Sequence, residues 1–302
     1  MSRSGVTPDW LAVDWGTTHL RVWLMAKDGS ALERLESDRG MGCLARDEFE
    51  PVLMDLLSEF DLGSSIVTIV CGMAGSRQGW AEAPYVAVPC APPGVSNATQ
   101  FNAGVFDVHI LPGVKQQKPA DVMRGEETQI AGYLVENPDF DGILCLPGTH
   151  CKWVHISAGE LVSFRTFMTG EMFALLSDQS VLRHSVATDD WDQAAFDTAL
   201  SDTLTRPSDL AAKLFSLRAE GLLNDMSPAT ARARLSALLI GAELAAAKPY
   251  WLGQQVVILG ADNVASAYHA ALTAQGAMVR PSDADNMTLA GMTAAYHSLK
   301  DT

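Results

Sequence analysis

Apolar positions fall into short runs and helical stripes that alternate along the chain. Trp10-Leu11-Ala12-Val13 is a continuous apolar run and predicts a strand. Asp14-Trp15-Gly16-Thr17-Thr18 turns the chain, and Leu20 to Met25 returns as a second strand. Asp28-Gly29 follows, the dipeptide that favours a tight hairpin. The chain therefore opens as a β-meander. Phe49, Val52, Leu53, Leu56, Leu57 and Phe60 share one face at helical spacing, which predicts a helix over 48–60. The β-branched run 65–71 predicts a buried strand, and it runs into the small-residue loop Gly72 to Arg77. In an open α/β sheet, a loop at the carboxyl end of a strand is the usual place for a ligand.

Residues 84–120 are rich in Pro and Gly, with short strands such as 107–111, and 126–135 reads as a helix. A second meander follows: strand 143–146, the turn Pro147-Gly148-Thr149-His150, and a return strand over 152–156. Gly16-Thr17 and Gly148-Thr149 lie 132 residues apart, each between two apolar strands. In that alignment Asp14 faces Leu146, so the acid belongs to one copy only. At roughly 150 residues per domain, 302 residues predict two domains. The expected organisation is two related α/β domains, 1–136 and 137–302. The remainder reads as mostly helical, with helices over 211–221 and 229–247, the latter stopped by Lys248-Pro249. A strand over 255–259 ends in Gly260-Ala261-Asp262-Asn263. A helix over 264–274, a strand over 277–280 and a closing helix over 289–299 complete the pattern.

Composition adds bounds. The chain is 48% hydrophobic and 19% charged, a globular balance. Its net charge of −15 argues against nucleic-acid or polybasic membrane binding. No apolar stretch suits a secretory leader or a membrane span, and a cytoplasmic protein is expected. The five cysteines show no CxxC pair; Cys71, Cys90 and Cys145 sit in apolar runs and read as core, in a reducing compartment. His19, His150 and His155 lack metal-ligand spacing. GxGxxG, GxxxxGK[ST] and GxSxG are all absent.

The turn at Asp14 has the clearest chemical logic. Gly16 lets the backbone approach an anion, and Thr17 and Thr18 add hydroxyl donors for phosphate oxygens. Asp14 at the strand end suits a hydrated Mg²⁺, the partner of phosphoryl transfer. The stretch LAVDWGTTHLRVWL resembles the first phosphate motif of the actin/hexokinase/Hsp70 superfamily, LCLPGTHCKWV its second, and VVILGADNVA its adenosine motif. A closer resemblance is to the 2-dehydro-3-deoxygalactonokinase family. It is carried by GMAGSRQGW (72–80), PGVKQQKPADVMRGEETQIAGYL (112–134), LPGTHCKWV (146–154) and FRTFMTGEMFALL (164–176), and spans nearly the whole chain.

The resemblance implies a two-domain actin-like ATPase (ribonuclease H-like) fold, α/β in class. ATP and Mg²⁺ would sit in an interdomain cleft. The γ-phosphoryl group would pass to the 6-hydroxyl of 2-dehydro-3-deoxy-D-galactonate, a step of galactonate breakdown. By residue, it implies Asp14 as metal ligand and Gly16, Thr17 and Thr18 in the first phosphate loop. Gly148 and Thr149, with His150 and Lys152 nearby, match the second loop, and Gly260, Ala261 and Asn263 the adenosine side. Leu146-Pro147 stands where the superfamily often carries a second acid, which leaves more of the metal binding to Asp14.

A sugar hydroxyl acceptor needs a base or an orienting carboxylate. Glu126 and Glu127, at the start of the helix over 126–135, are candidates; they are similar to the acidic pair of the exopolyphosphatase branch. Glu171 and Asp121 are further candidates. A carboxylate substrate calls for a guanidinium fork, and Arg77, Arg124 and Arg165 lie in the least generic stretches. Trp80 is a candidate wall of the sugar pocket. The expected partners are a small sugar acid and ATP, with a homodimer as the assembly considered. A phosphohydrolase or a nucleotide-dependent regulator of the same superfamily is the alternative, and a binding module without catalysis is a third.

Overall fold

The first strand is apolar without alternation because both of its faces are covered. In the computed structural model, which describes residues 7–260 and 262–300 (the side chains of 262 and 263 excepted), β1 (Trp10–Trp15) turns Leu11, Val13 and Trp15 to one core and Trp10 and Ala12 to another. The remaining elements of the first half are β2 (Leu20–Met25), β3 (Ala31–Ser37), α1 (Phe49–Leu56), β4 (Ile66–Gly72), β5 (Tyr85–Ala87), β6 (Thr99–Ala103), β7 (Phe106–Ile110), β8 (Gly113–Gln116), β9 (Asp121–Met123) and α2 (Glu126–Glu136). The second half carries β10 (Gly142–Leu146), β11 (Cys151–Ser157), β12 (Glu160–Phe167), α3 (Thr169–Asp178), α4 (Gln193–Thr205), α5 (Leu210–Leu223), α6 (Pro228–Ala246), α7 (Lys248–Trp251), β13 (Gln255–Leu259), α8 (Asp262–Ala274), β14 (Met278–Ser282) and α9 (Ala284–Lys300).

The described chain divides into two compact units, Met1–Phe140 with Ser157–Ser163 and Ala284–Thr302, and Asp141–Ile156 with Phe164–Asp283. This differs from a single cut between 136 and 137, because α9 returns to the first unit. The reason is steric. A Cβ on Gly132 of α2 would collide with the Met287 carbonyl, and one on Gly291 of α9 with that of Thr128. Glycines at both places let the two helices touch backbone to backbone. Tyr296 of α9 then stacks on Trp10, ring centroids 4.2 Å apart.

The first unit's main sheet has the order β3-β2-β1-β4-β7-β6. β1 runs antiparallel to β2 and parallel to β4, and β4 parallel to β7. A smaller sheet, β5-β8-β9, flanks the approach to α2. The second sheet has the order β12-β11-β10-β13-β14. β10 runs antiparallel to β11 and parallel to β13, which is parallel to β14. In both sheets three consecutive strands lie in reverse order beside parallel strands, so the weak Gly-Thr repeat reflects a repeated topology.

Three readings are corrected. The stretch after residue 160 is not helical at first, because 160–167 forms β12. Pro249 sits in the first turn of α7, where its missing N–H is not needed, and the preceding helix already ends at Ala246. Cys90 is only half-buried, whereas Cys71, Cys145 and also Cys151 are buried.

Candidate functional site

In the first unit the site grows from the carboxyl ends of two parallel strands. Register pairs Asp14 of β1 with Cys71 of β4, and Trp15 with Gly72. Asp14 is half-buried. Its Oδ2 accepts from Arg21 Nη1 at 3.3 Å, and its Oδ1 lies 3.7 Å from the Cys71 thiol. Arg21 Nη1 also donates to Asp285 of α9, at 3.0 Å. Burial raises the Asp14 pKa; Arg21 pulls it back, and the charges of Asp285 and Glu126 add to the rise. The Asp14 carboxyl thus sits among acids with one guanidinium against it, where a further positive charge would be welcome.

The following turn is held by backbone. Gly40, Met41 and Gly42 donate to the carbonyls of Thr18, Gly16 and Thr17 at 3.2, 2.9 and 2.8 Å. Thr17 and Thr18 are themselves exposed, as a phosphate-binding role requires.

The acidic pair at the start of α2 is split by its surroundings. Glu126 is half-buried, and its Oε2 accepts from the Arg124 backbone N–H at 3.1 Å. Glu127 is 1% exposed, and both its oxygens accept from the Gly125 N–H, at 2.8 and 2.9 Å. Gly125 holds φ +110°, a conformation that favours glycine, and abuts Gly72. Burial, then the charge of Glu126, raises the Glu127 pKa to about 7.

The remaining first-unit candidates separate. Arg124 is buried; its Nη2 donates to the Ala83 carbonyl at 2.8 Å and its guanidinium stacks on Tyr85 at 4.2 Å. It fastens the 83–85 segment to the loop before α2. Arg77 is 81% exposed, with Glu82 3.6 Å away. Trp80 is no pocket wall: it is buried in an aromatic cluster with Trp15, Phe49 and Phe101. Asp121 turns back on its own strand, its Oδ1 accepting from the Val122 N–H.

In the second unit the turn between β10 and β11 presents Gly148, Thr149 and His150 to solvent. Lys152 is buried and its Nζ donates to the His150 carbonyl at 3.1 Å, bracing the turn from below. The first turn of α3 grips it from the side. Glu171 N–H donates to the Thr149 carbonyl at 2.9 Å, and Glu171 Oε2 lies 2.6 Å from His150 Nε2. A Cβ on Gly170 would strike the Gly148 carbonyl, so only glycine allows that approach. Glu171 is therefore a partner of the turn. Gly260, at the end of β13, stands over Pro147: a Cβ on it would lie 3.7 Å from the proline Cδ. Ala261 lies outside the described residues, as does the Asn263 side chain. Arg165 is exposed on β12, 5.9 Å from the Phe167 ring.

Several site residues had no motif to mark them. Arg21, Cys71 and Asp285 reach Asp14 through strand pairing and the return of α9. Glu243 did leave a signal, as the one acid in the Ala/Leu-rich stretch 228–246. It is buried, and accepts from Trp153 Nε1, Tyr268 OH and Thr169 Oγ1.

Two sheets of one order, each with a Gly-Thr turn at the edge of its meander, define the class: a two-domain actin-like ATPase fold. The family model for 2-keto-3-deoxy-galactonokinase matches residues 14–295. A Rhizobium meliloti (strain 1021) protein assigned the name 2-dehydro-3-deoxygalactonokinase is 39% identical over 295 residues, 95% of this chain and 96% of the relative. The Escherichia coli (strain K12) 2-dehydro-3-deoxygalactonokinase is 33% identical over 297 residues, 97% of this chain and 99% of the relative. A crystal structure from Sinorhizobium meliloti, titled with the same activity, matches with a TM-score of 0.90 at 38% identity, over 96% of this chain and 99% of that one. The chain belongs to the 2-keto-3-deoxy-galactonokinase family, a family of sugar-acid kinases.

Proposed function

We propose that this protein is an ATP-dependent kinase that phosphorylates the 6-hydroxyl of 2-dehydro-3-deoxy-D-galactonate, a step of galactonate breakdown. Its near full-length relation to two proteins of that name carries the reading. Phosphoryl transfer passes through a loose transition state, so positioning and charge neutralisation supply most of the catalysis. The Gly148–Thr149 turn and the Gly260 loop receive the nucleotide. The exposed hydroxyls of Thr17 and Thr18 meet phosphate oxygens.

Asp14 and Glu126 form the reacting end. Glu126, the more exposed of its pair, orients the sugar hydroxyl. Glu127 holds the Gly125 turn that presents it. Mg²⁺ fits Asp14, a hard oxygen donor whose surrounding acids favour an added cation. Mg²⁺ keeps most of its waters and needs only one or two protein carboxylates. When bound, the ion would neutralise phosphate charge. Arg77 and Arg165 are both exposed, and each is a candidate to receive the sugar-acid carboxylate. Arg124 supports the loop from within.

A coupled assay with ATP and Mg²⁺ tests the reading. ADP release should require 2-dehydro-3-deoxygalactonate and fall by orders of magnitude in Asp14→Asn, with little loss of folding. ATP consumption that ignores the sugar acid would point to a hydrolase instead. An Asp14→Asn variant within about twofold of the wild-type rate would remove the metal role given to Asp14.

A further inference from the structure

Glu243 is a carboxylate buried in the second unit, 3% exposed, and the chemistry proposed above does not use it. It sits on α6 among neutral donors, and the Cys151 thiol at the start of β11 also hydrogen-bonds to it. Its Oε1 accepts from Trp153 Nε1 at 2.7 Å. Its Oε2 accepts from Tyr268 OH at 2.6 Å and from Thr169 Oγ1. A buried carboxyl needs hydrogen-bond partners for its oxygens, and these neutral donors supply them.

The positions of the donors give the arrangement its meaning. Trp153 is on β11, the strand leaving the Gly148–Thr149 turn. Thr169 opens α3, whose next two residues touch that turn through Gly170 and the Glu171 N–H. Tyr268 is on α8, the helix that follows the Gly260 loop. One carboxylate thus joins the three elements that border the nucleotide-side loops. The comparison with the first unit shows why this matters. There, three backbone hydrogen bonds from 40–42 pin the Gly-Thr turn. Among the described residues, the second turn has one such bond from α3.

We propose that Glu243 is a positioning residue for the nucleotide half of the site, acting through Thr169 on the Gly148–Thr149 turn. It does not touch ligand. By fixing the start of α3, it sets how the turn presents its backbone to phosphate oxygens. The inference rests on the reading that these loops receive ATP.

The test pairs Thr169→Val, which keeps the shape and removes the hydroxyl, with Thr169→Ser, which restores it; Glu243→Gln is the direct variant. Thr169→Val should raise the KM for ATP and the Kd for ADP about tenfold, with the sugar-acid KM within twofold. Thr169→Ser should return both nucleotide constants to within about twofold of wild type. Equal changes in both KM values, an unchanged ATP constant, or a serine variant as weak as the valine variant would each overturn the proposal. Hydrogen exchange across residues 165–175, measured without ligand, gives a readout that needs no nucleotide. Faster exchange in the valine variant alone supports the positioning role, and unchanged exchange rejects it. Wild-type protein that binds no ADP would instead overturn the ATP reading, so the two failures are told apart. If Glu243→Gln does not fold, the Thr169 pair still decides.

Discussion

Two adjacent glutamates show how far identity alone reaches. Glu126 and Glu127 are equivalent in sequence, and both were candidates for the same role. The Gly125 turn buries one and leaves the other half-exposed, so their chemistry diverges. The Glu127 pKa stands at about 7, against 4.5 for an unburied glutamate. A carboxyl raised in this way stabilises the fold fully below about pH 4.5, and that contribution is lost as pH rises through 7. Glu127→Gln removes the ionisation and keeps an acceptor for the Gly125 N–H. The variant should therefore gain on wild type between pH 5 and pH 8, by up to ~3 kcal/mol at 1.36 kcal/mol per unit. Thermal melts at the two pH values measure this; a wild type that gains on the variant would reject burial as the cause. Asp14 was legible because an acid at a strand end before Gly-Thr is a local pattern. Arg21 and Asp285 were not, since 264 residues separate partners that only the fold brings together. Trp80 was misplaced for a related reason: a loop tryptophan gives no sign in sequence of the three aromatic rings that wait for it.

At the scale of elements, legibility followed periodicity. Both meanders, the buried strand over 66–72 and α1 were readable because one apolar pattern spans each of them, and α5 and α6 because they are rich in Ala and Leu. β12 and α3 were not: β12 buries only Leu161 and Phe164, and the first turn of α3 is spent on contacts with the Gly148–Thr149 turn and Glu243. Element packing also rests on places where no side chain fits. Gly132→Ala would push a methyl group into the Met287 carbonyl and force α2 and α9 apart. The expected loss is ~1–3 kcal/mol, the usual cost of overpacking. Gly94→Ala meets nothing within 4 Å and is the control. Melting temperatures should fall for the first and hold for the second; equal values would mean that the helix contact yields without strain.

For the whole molecule, a net charge of −15 faces two anionic substrates. Repulsion slows encounter, and salt screens it. The sugar-acid kcat/KM should therefore rise as ionic strength goes from ~0.01 to ~0.15 M. A fall would show that local positive groups outweigh the global field. The number of units was legible from length and the repeated turn. Their composition was not, because nothing in the sequence of 284–300 says which sheet it will cover.

The return of α9 has a consequence for how the protein is made. The strands of the first unit emerge from the ribosome early, but the helix that covers Trp10 and packs on α2 is encoded after the whole second unit. Until α9 appears, a partly synthesised chain carries an open apolar face on its first unit, a target for chaperones and proteases. A chain cut short anywhere before α9 therefore lacks Met292, Ala295 and Tyr296, and cannot close the core around Trp10 and Ala12.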